Sequence, residues 1–233
     1  MNLGSEPLVS APESGRPGPM TGWRAGHGKP TTTLLLRHGQ TPLSAERRFA
    51  GRGDIPLTEL GLEQAGAAAR RLAQRGGIDL VLSSPLQRAR QTAQAVVDAA
   101  GAPLAVDDDL AETDFGSWEG MSFGEVMAAW PDEMAAWLTD ADAAPPGGES
   151  FAAVGLRVDA ALRRLLGAHQ GKTVVVVSHV TPIKTLACRA LLAPTAALFR
   201  MHLDVASLTE AAWFADGAAL LRSLNDTAHM RPA

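Results

Sequence analysis

A single cysteine, Cys188, stands in the whole chain, so an internal disulfide and any zinc or iron–sulfur centre built from several cysteines are excluded. On an apolar helix face that thiol reads most simply as a core residue. Lysine is nearly missing as well: apart from Lys29, Lys172 and Lys184, the 21 basic residues are all arginines. Arginine's planar fork suits a bidentate grip on phosphate or carboxylate, although codon bias explains such an excess equally well. Neither sign of charge dominates. With 25 acidic residues the net charge is −4, and no basic field is expected to draw nucleic acid or an anionic membrane. No apolar run reaches the length of a membrane-spanning helix. The first 30 residues lack a basic segment followed by an apolar one, so secretion is not expected and the cytoplasm is the expected compartment. What is present is 233 residues, 46% hydrophobic and 20% charged. That suits one domain of about 200 residues with a tail, or two small domains, with core enough to fold without disulfides or metals.

Residues 1–30 hold five prolines and six glycines without apolar periodicity, and read as a disordered tail or linker. Residues 31–228 read as one domain and 229–233 as a C-terminal tail. Thr33-Leu34-Leu35-Leu36 is a buried strand stopped after Arg37-His38 by Gly39. Thr58 caps a helix with Leu62, Ala65, Ala69, Leu72 and Ala73 on one face, ending at Gly76-Gly77. Asp79 to Ser83 is a second strand, and Pro85 opens a helix to Ala100. The stretch from Met121 to Leu138 is helical with Pro131 interrupting it, and Ser150 caps a helix to about Ala168. Thr173 to Val177 is the clearest buried strand, followed by a helix through Leu191. Residues 206–214 and 218–224 fit a hairpin turned at Asp216-Gly217.

Apolar strands alternating with helices imply a three-layer α/β/α sandwich around a mostly parallel sheet. Ligands of such sheets bind beyond the carboxyl ends of the strands. Arg37-His38 and His179 stand at those ends, Arg88 opens a helix beside one, and Glu112 follows the expected third strand. A neutral imidazole can attack a phosphoryl group, cationic donors gather the phosphate oxygens, and a carboxylic acid can protonate the departing oxygen. Taken singly, each residue has a plainer explanation: a solvated arginine, a structural histidine, a surface carboxylate. Their convergence favours chemistry.

Leu35-Leu36-Arg37-His38-Gly39-Gln40-Thr41 resembles the signature of the histidine phosphatase (phosphoglycerate mutase-like) superfamily. Similar blocks follow in order: Gly51 to Gly61 with Gln64-Ala65, Ser83 to Ala89 with Thr92-Ala93, Glu112 to Gly120, Gly147 to Ser150, and Val177-Ser178-His179. The resemblance implies a phosphoglycerate mutase-like fold, His38 as phosphohistidine and Glu112 as proton donor. It also implies Arg37, Arg88 and His179 around the phosphate, Gln40 and Thr41 at the rim, and Ser44 and Val180 as further substrate-binding positions. No metal or other cofactor is implied. Departures within the family point to hydrolysis. Ser44 stands where the mutases usually carry asparagine, Thr113 replaces an arginine that would hold a substrate carboxylate, and Val180-Thr181 replace Gly-Asn.

The Gly-x-Trp-Glu-Gly segment is similar to that of alpha-ribazole phosphatases. Ser178 to Lys184 and Asn225-Asp226-Thr227 resemble the phosphatase half of bacterial proteins that fuse it to a ribonuclease H domain. The expected activity is thus metal-independent hydrolysis of a small-molecule phosphomonoester, alpha-ribazole phosphate among the candidates. Mutase-type transfer and a non-catalytic binding module of the same fold are the alternatives. A homodimer is left open, as are the roles of the 121–148 insert and of His229. Gly171-Lys172-Thr173 is not a P-loop, because it precedes a strand and its first glycine is Leu166. Asp107-Asp108-Asp109 reads as a solvated turn. Trp118, Trp130, Trp137 and Trp213 read as packing residues, with Trp118 the one placed to wall a pocket beside Glu112.

Overall fold

The computed structural model describes residues 28–230. Most of the expected N-terminal tail therefore lies outside the described residues, as do the last three positions. Six strands form one sheet: β1 (Thr31–Arg37), β2 (Leu80–Ser83), β3 (Leu104–Val106), β4 (Thr173–Ser178), β5 (Leu208–Trp213) and β6 (Ala219–Asp226). Their order is β3-β2-β4-β1-β5-β6. The first four are mutually parallel, and the hairpin of β5 and β6 closes one side antiparallel.

Alternation along the strands sends side chains to two separate cores. Leu34, Leu36, Val175 and Val177 meet α2 (Glu59–Arg75) and α3 (Gln87–Ala100) on one face. Leu35, Val174 and Val176 meet α6 (Phe151–Ala168) and α7 (Val180–Leu191) on the other. Every buried strand is covered twice, which is why its residues read as a continuous apolar run. The fold is the expected three-layer α/β/α sandwich.

Local signals place the helix ends. Thr58 and Ser150 accept hydrogen bonds from Gly61 N–H and Ala153 N–H, and Gly101 ends α3 in the left-handed conformation. Four expectations differ in detail. Leu62 is half exposed, because α2 buries Gly61, Ala65, Ala68, Ala69 and Leu72, a face turned away from it. The helix expected from Met121 to Leu138 is two helices, α4 (Phe123–Ala129) and α5 (Pro131–Thr139), since Pro131 cannot donate a mid-helix bond and instead starts the second. The C-terminal segment packs: Ala228–Met230 form a 3-10 turn, and His229 Nε2–H donates to Ala206 O at 3.0 Å. Asp107 and Asp109 are not merely solvated; both pair with Arg164.

The loop after β1 also holds a short helix, α1 (Pro42–Ala45), that the sequence pattern does not show. This loop touches the first turn of α2 so closely that a Cβ on Gly61 would run into the carbonyl of Gln40, and one on Gly39 into that of Gly61. Gly61→Ala gains about 1 kcal/mol of helix propensity. Against that, overpacking against backbone, which cannot rotate away, lies at or beyond the upper end of about 1–3 kcal/mol. The clash wins. The expected net loss of about 2 kcal/mol lowers Tm by roughly 4–8 °C, and a melting curve showing an unchanged or raised Tm would refute the close approach.

Candidate active site

Strand register builds the site. Arg37 pairs with Ser178 across the parallel β1–β4 ladder, so the next residues, His38 and His179, emerge side by side. Their ring centroids are 5.0 Å apart. Ser83 pairs with Val177 on the other side of β4, which carries Ser84 to His179; Ser84 Oγ lies 2.7 Å from His179 Nε2.

His38 is buried, with Nδ1 2.7 Å from its neighbour's carbonyl, Gly39 O. A carbonyl only accepts, so Nδ1 carries the proton and Nε2 holds the lone pair. Burial first, then the charges of Arg37 and Arg88, hold this imidazole well below its usual pKa and therefore neutral at pH 7. His179 is neutral for the same leading reason, with Arg88, His38 and Arg37 adding to it. Its Nδ1 has no partner among the described residues.

The two arginines differ in their commitments. Arg37 faces the cavity and donates through Nη1 to Leu203 O at 2.6 Å. Burial lowers its pKa to about 10, against the opposing pull of Glu112 and Asp204, and it stays charged at neutral pH. Arg88 is fully buried; its Nη1 and Nη2 donate to backbone carbonyls of the 50–53 loop, Gly53 O at 2.9 Å, Gly51 O at 2.7 Å and Ala50 O at 3.1 Å, while its Nε has no partner among the described residues. Glu119 holds the same loop from outside by accepting from Gly51 N–H, so the acid of the Gly-x-Trp-Glu-Gly segment serves this loop.

Glu112 sits against the N-terminus of α7. Its carboxylate accepts from Val180 N–H at 3.0 Å, Thr181 N–H at 3.2 Å and its neighbour Thr113 N–H at 2.9 Å. Among the described residues no ion pair joins it to an arginine. The segment that carries it is clamped by Arg157, which donates to Asp109 O, Ala111 O and Glu112 O while its fork grips Glu149. Sequence reasoning missed Arg157, although Glu149 lay in a recognised block.

Arg37, His38, Gln40, Ser44, Glu112 and Val180 all line one cavity of about 850 Å³. Arg88 and His179 lie behind it. Thr41, expected at the rim, is fully buried: its hydroxyl caps α1 by accepting Ser44 N–H, and Ser44 Oγ accepts Thr41 N–H in return. Gln40 Oε1 accepts from the Thr58 hydroxyl. Trp118 is wholly buried in an aromatic cluster, and Trp137, from the insert, takes the wall position instead. Lys184 also lines the cavity and was not anticipated. Its spacing of four from Val180 is the signal that places both on one face of α7.

The histidine phosphatase superfamily (branch 1) model matches residues 33–227. Bifunctional protein Rv2228c of Mycobacterium tuberculosis is 51% identical over 209 residues, which cover 90% of this chain and 57% of that protein. The chain thus spans little more than half the length of this relative. The adenosylcobalamin/alpha-ribazole phosphatase of Salmonella typhimurium is 32% identical over 203 residues, 85% of this chain and 98% of its own. A solved mycobacterial glucosyl-3-phosphoglycerate phosphatase, Rv2419c in complex with VO3, superposes with a TM-score of 0.78 at 32% identity, covering 84% of this chain and all of that one. With its strand-end histidines, its sheet order and a family match over nearly the whole described domain, the chain belongs to the histidine phosphatase superfamily, branch 1.

Proposed function

We propose that this domain hydrolyses phosphomonoesters of small metabolites through a phosphohistidine on His38, without a metal. The observation that carries this reading is the tautomer of His38: Gly39 O holds Nδ1–H, and the neutral ring keeps its Nε2 lone pair. In the first step Nε2 bonds to phosphorus, the ester P–O bond breaks, and the leaving oxygen takes a proton from Glu112. In the second, water attacks phosphorus, Glu112 takes its proton, and the N–P bond breaks to release phosphate. Arg37 and the unpartnered Nδ1 of His179 gather phosphoryl oxygens. Arg88 keeps the 50–53 loop in place beside them. The names of the relatives, phosphatases of glucosyl-3-phosphoglycerate and of alpha-ribazole phosphate, support a small phosphorylated metabolite as substrate.

Release of nitrophenol from para-nitrophenyl phosphate in EDTA tests the reading; no release between pH 5 and 8 would defeat it. A panel of phosphorylated metabolites, alpha-ribazole phosphate included, then identifies the substrate.

Lysine keeps the charge of arginine but loses the fork. Arg37→Lys is therefore expected to weaken vanadate inhibition by about 10-fold or more, with little change in Tm, because a charge-assisted hydrogen bond contributes about 1.5–3 kcal/mol. Arg88→Lys cannot reach all three loop carbonyls and is expected to lower Tm as well as weaken vanadate. Unchanged inhibition in the Arg37 variant would remove that residue from the phosphate site.

A further inference from the structure

The cavity that holds His38 and Arg37 is far larger than a phosphoryl group needs. Its 850 Å³ falls within the range of sites that enclose drug-sized ligands. Much of the remaining lining is aromatic. Trp137 stands among rings that share this lining, with centroids 4.7 Å from Phe151, 5.6 Å from Phe199 and 6.0 Å from Phe49. Phe199 and Phe123, both lining residues, remain 42% and 47% exposed. Rings of that size left uncovered beside a reactive centre mark a place where apolar surface is covered by a ligand.

The charged groups of the same lining are largely occupied. Arg48 pairs with Glu46 and Glu125, Lys184 donates to Leu198 O, and His202 Nε2 lies 3.0 Å from Asp204 Oδ1. These contacts take up part of the cationic donor capacity that a carboxylate on the alcohol half of a substrate would use. Arg47 and the remaining N–H groups of Lys184, at the same lining, are the cations such a substrate would use.

We infer that the site selects phosphomonoesters whose alcohol carries an aromatic or similarly bulky apolar group, over small hydrophilic phosphate esters. This rests on the reading of the site as a phosphomonoesterase. The phosphoryl group sits at His38 and Arg37 while the apolar group covers the Phe199–Trp137–Phe151 wall. Offset or edge contacts with these rings add to the gain from leaving water.

The test compares 3-phenylpropyl phosphate with propyl phosphate on the intact chain. Both leave as primary alkoxides of similar basicity, so the ratio of their kcat/KM values reports on the ring. The phenyl ester is expected to be favoured about 10-fold or more, the scale of burying one ring. Phe199→Ala is expected to cut that ratio about threefold, and Phe199→Leu to restore most of it. If Phe199→Ala does not fold, Phe123→Ala reads the same ratio. A wild-type ratio of one or less, or phosphoserine favoured over both esters through Arg47, overturns the inference.

Binding of 3-phenylpropylphosphonate and propylphosphonate, measured by calorimetry, separates the two failures. If neither ester is hydrolysed but the phenyl phosphonate binds about 10-fold tighter, the apolar wall stands and the hydrolase reading falls. If both esters are hydrolysed equally well, the hydrolase reading stands and the wall falls.

Discussion

His38→Ala is expected to lose phosphate release by roughly 10⁵–10⁶-fold, the scale on which enzymes fail when a covalent nucleophile is removed. His179 lies 5.0 Å away by ring centroid, but Ser84 holds its Nε2. His179→Ala removes a donor to the phosphoryl group rather than the bond-forming atom, and its loss is expected to be about 10²–10³-fold. Rapid-quench trapping of labelled phosphate as an acid-labile adduct checks the assignment. Label trapped on the His38→Ala protein would show that another residue is the nucleophile. The pH dependence follows from the lowered pKa of both histidines. Because burial and the neighbouring arginines keep them neutral, the acid limb of the rate lies well below 6.5. Stability has the same direction: below pH 6.5 the unfolded chain takes up protons that the folded histidines refuse, so acid favours unfolding from that point downward.

Glu112→Gln is expected to lose about 10²–10⁴-fold on alkyl phosphates and far less on para-nitrophenyl phosphate. An alkoxide leaves badly and needs its proton as the P–O bond breaks; a nitrophenolate does not. The structure sharpens the alternative to this role. Among the described residues Glu112 pairs directly with no arginine; it accepts from the first N–H groups of α7. A carboxylate that only anchored this helix would matter equally for every substrate. Equal losses across a leaving-group series, accompanied by a fall in Tm, would therefore assign Glu112 to the helix and not to the acid.

The legible part of this protein was local. Thr58 and Ser150 as caps and the unbroken Val174 to Val177 run each act within a few residues, and all are where the sequence pattern puts them. Arg37 and His38 were legible for the same reason: they follow directly on a buried strand whose carboxyl end must face the ligand side of the sheet. The Pro131 interruption was visible too, although not that it divides two separate helices.

The order and texture of the chain alone carry the layer architecture and the strand-end histidines, whereas the tautomer of His38 rests on its folded contact with Gly39 O. That Arg88 grips the 50–53 loop, that Glu112 meets the N-terminus of a helix 68 residues further on, and that Trp137 rather than Trp118 faces the cavity are consequences of the folded arrangement. The physical reason is that a side chain's hydrogen-bond partners and its outlook depend on segments distant in the chain. Which of several donors reaches which acceptor is settled when the two cores pack against the sheet, not by any spacing along the sequence.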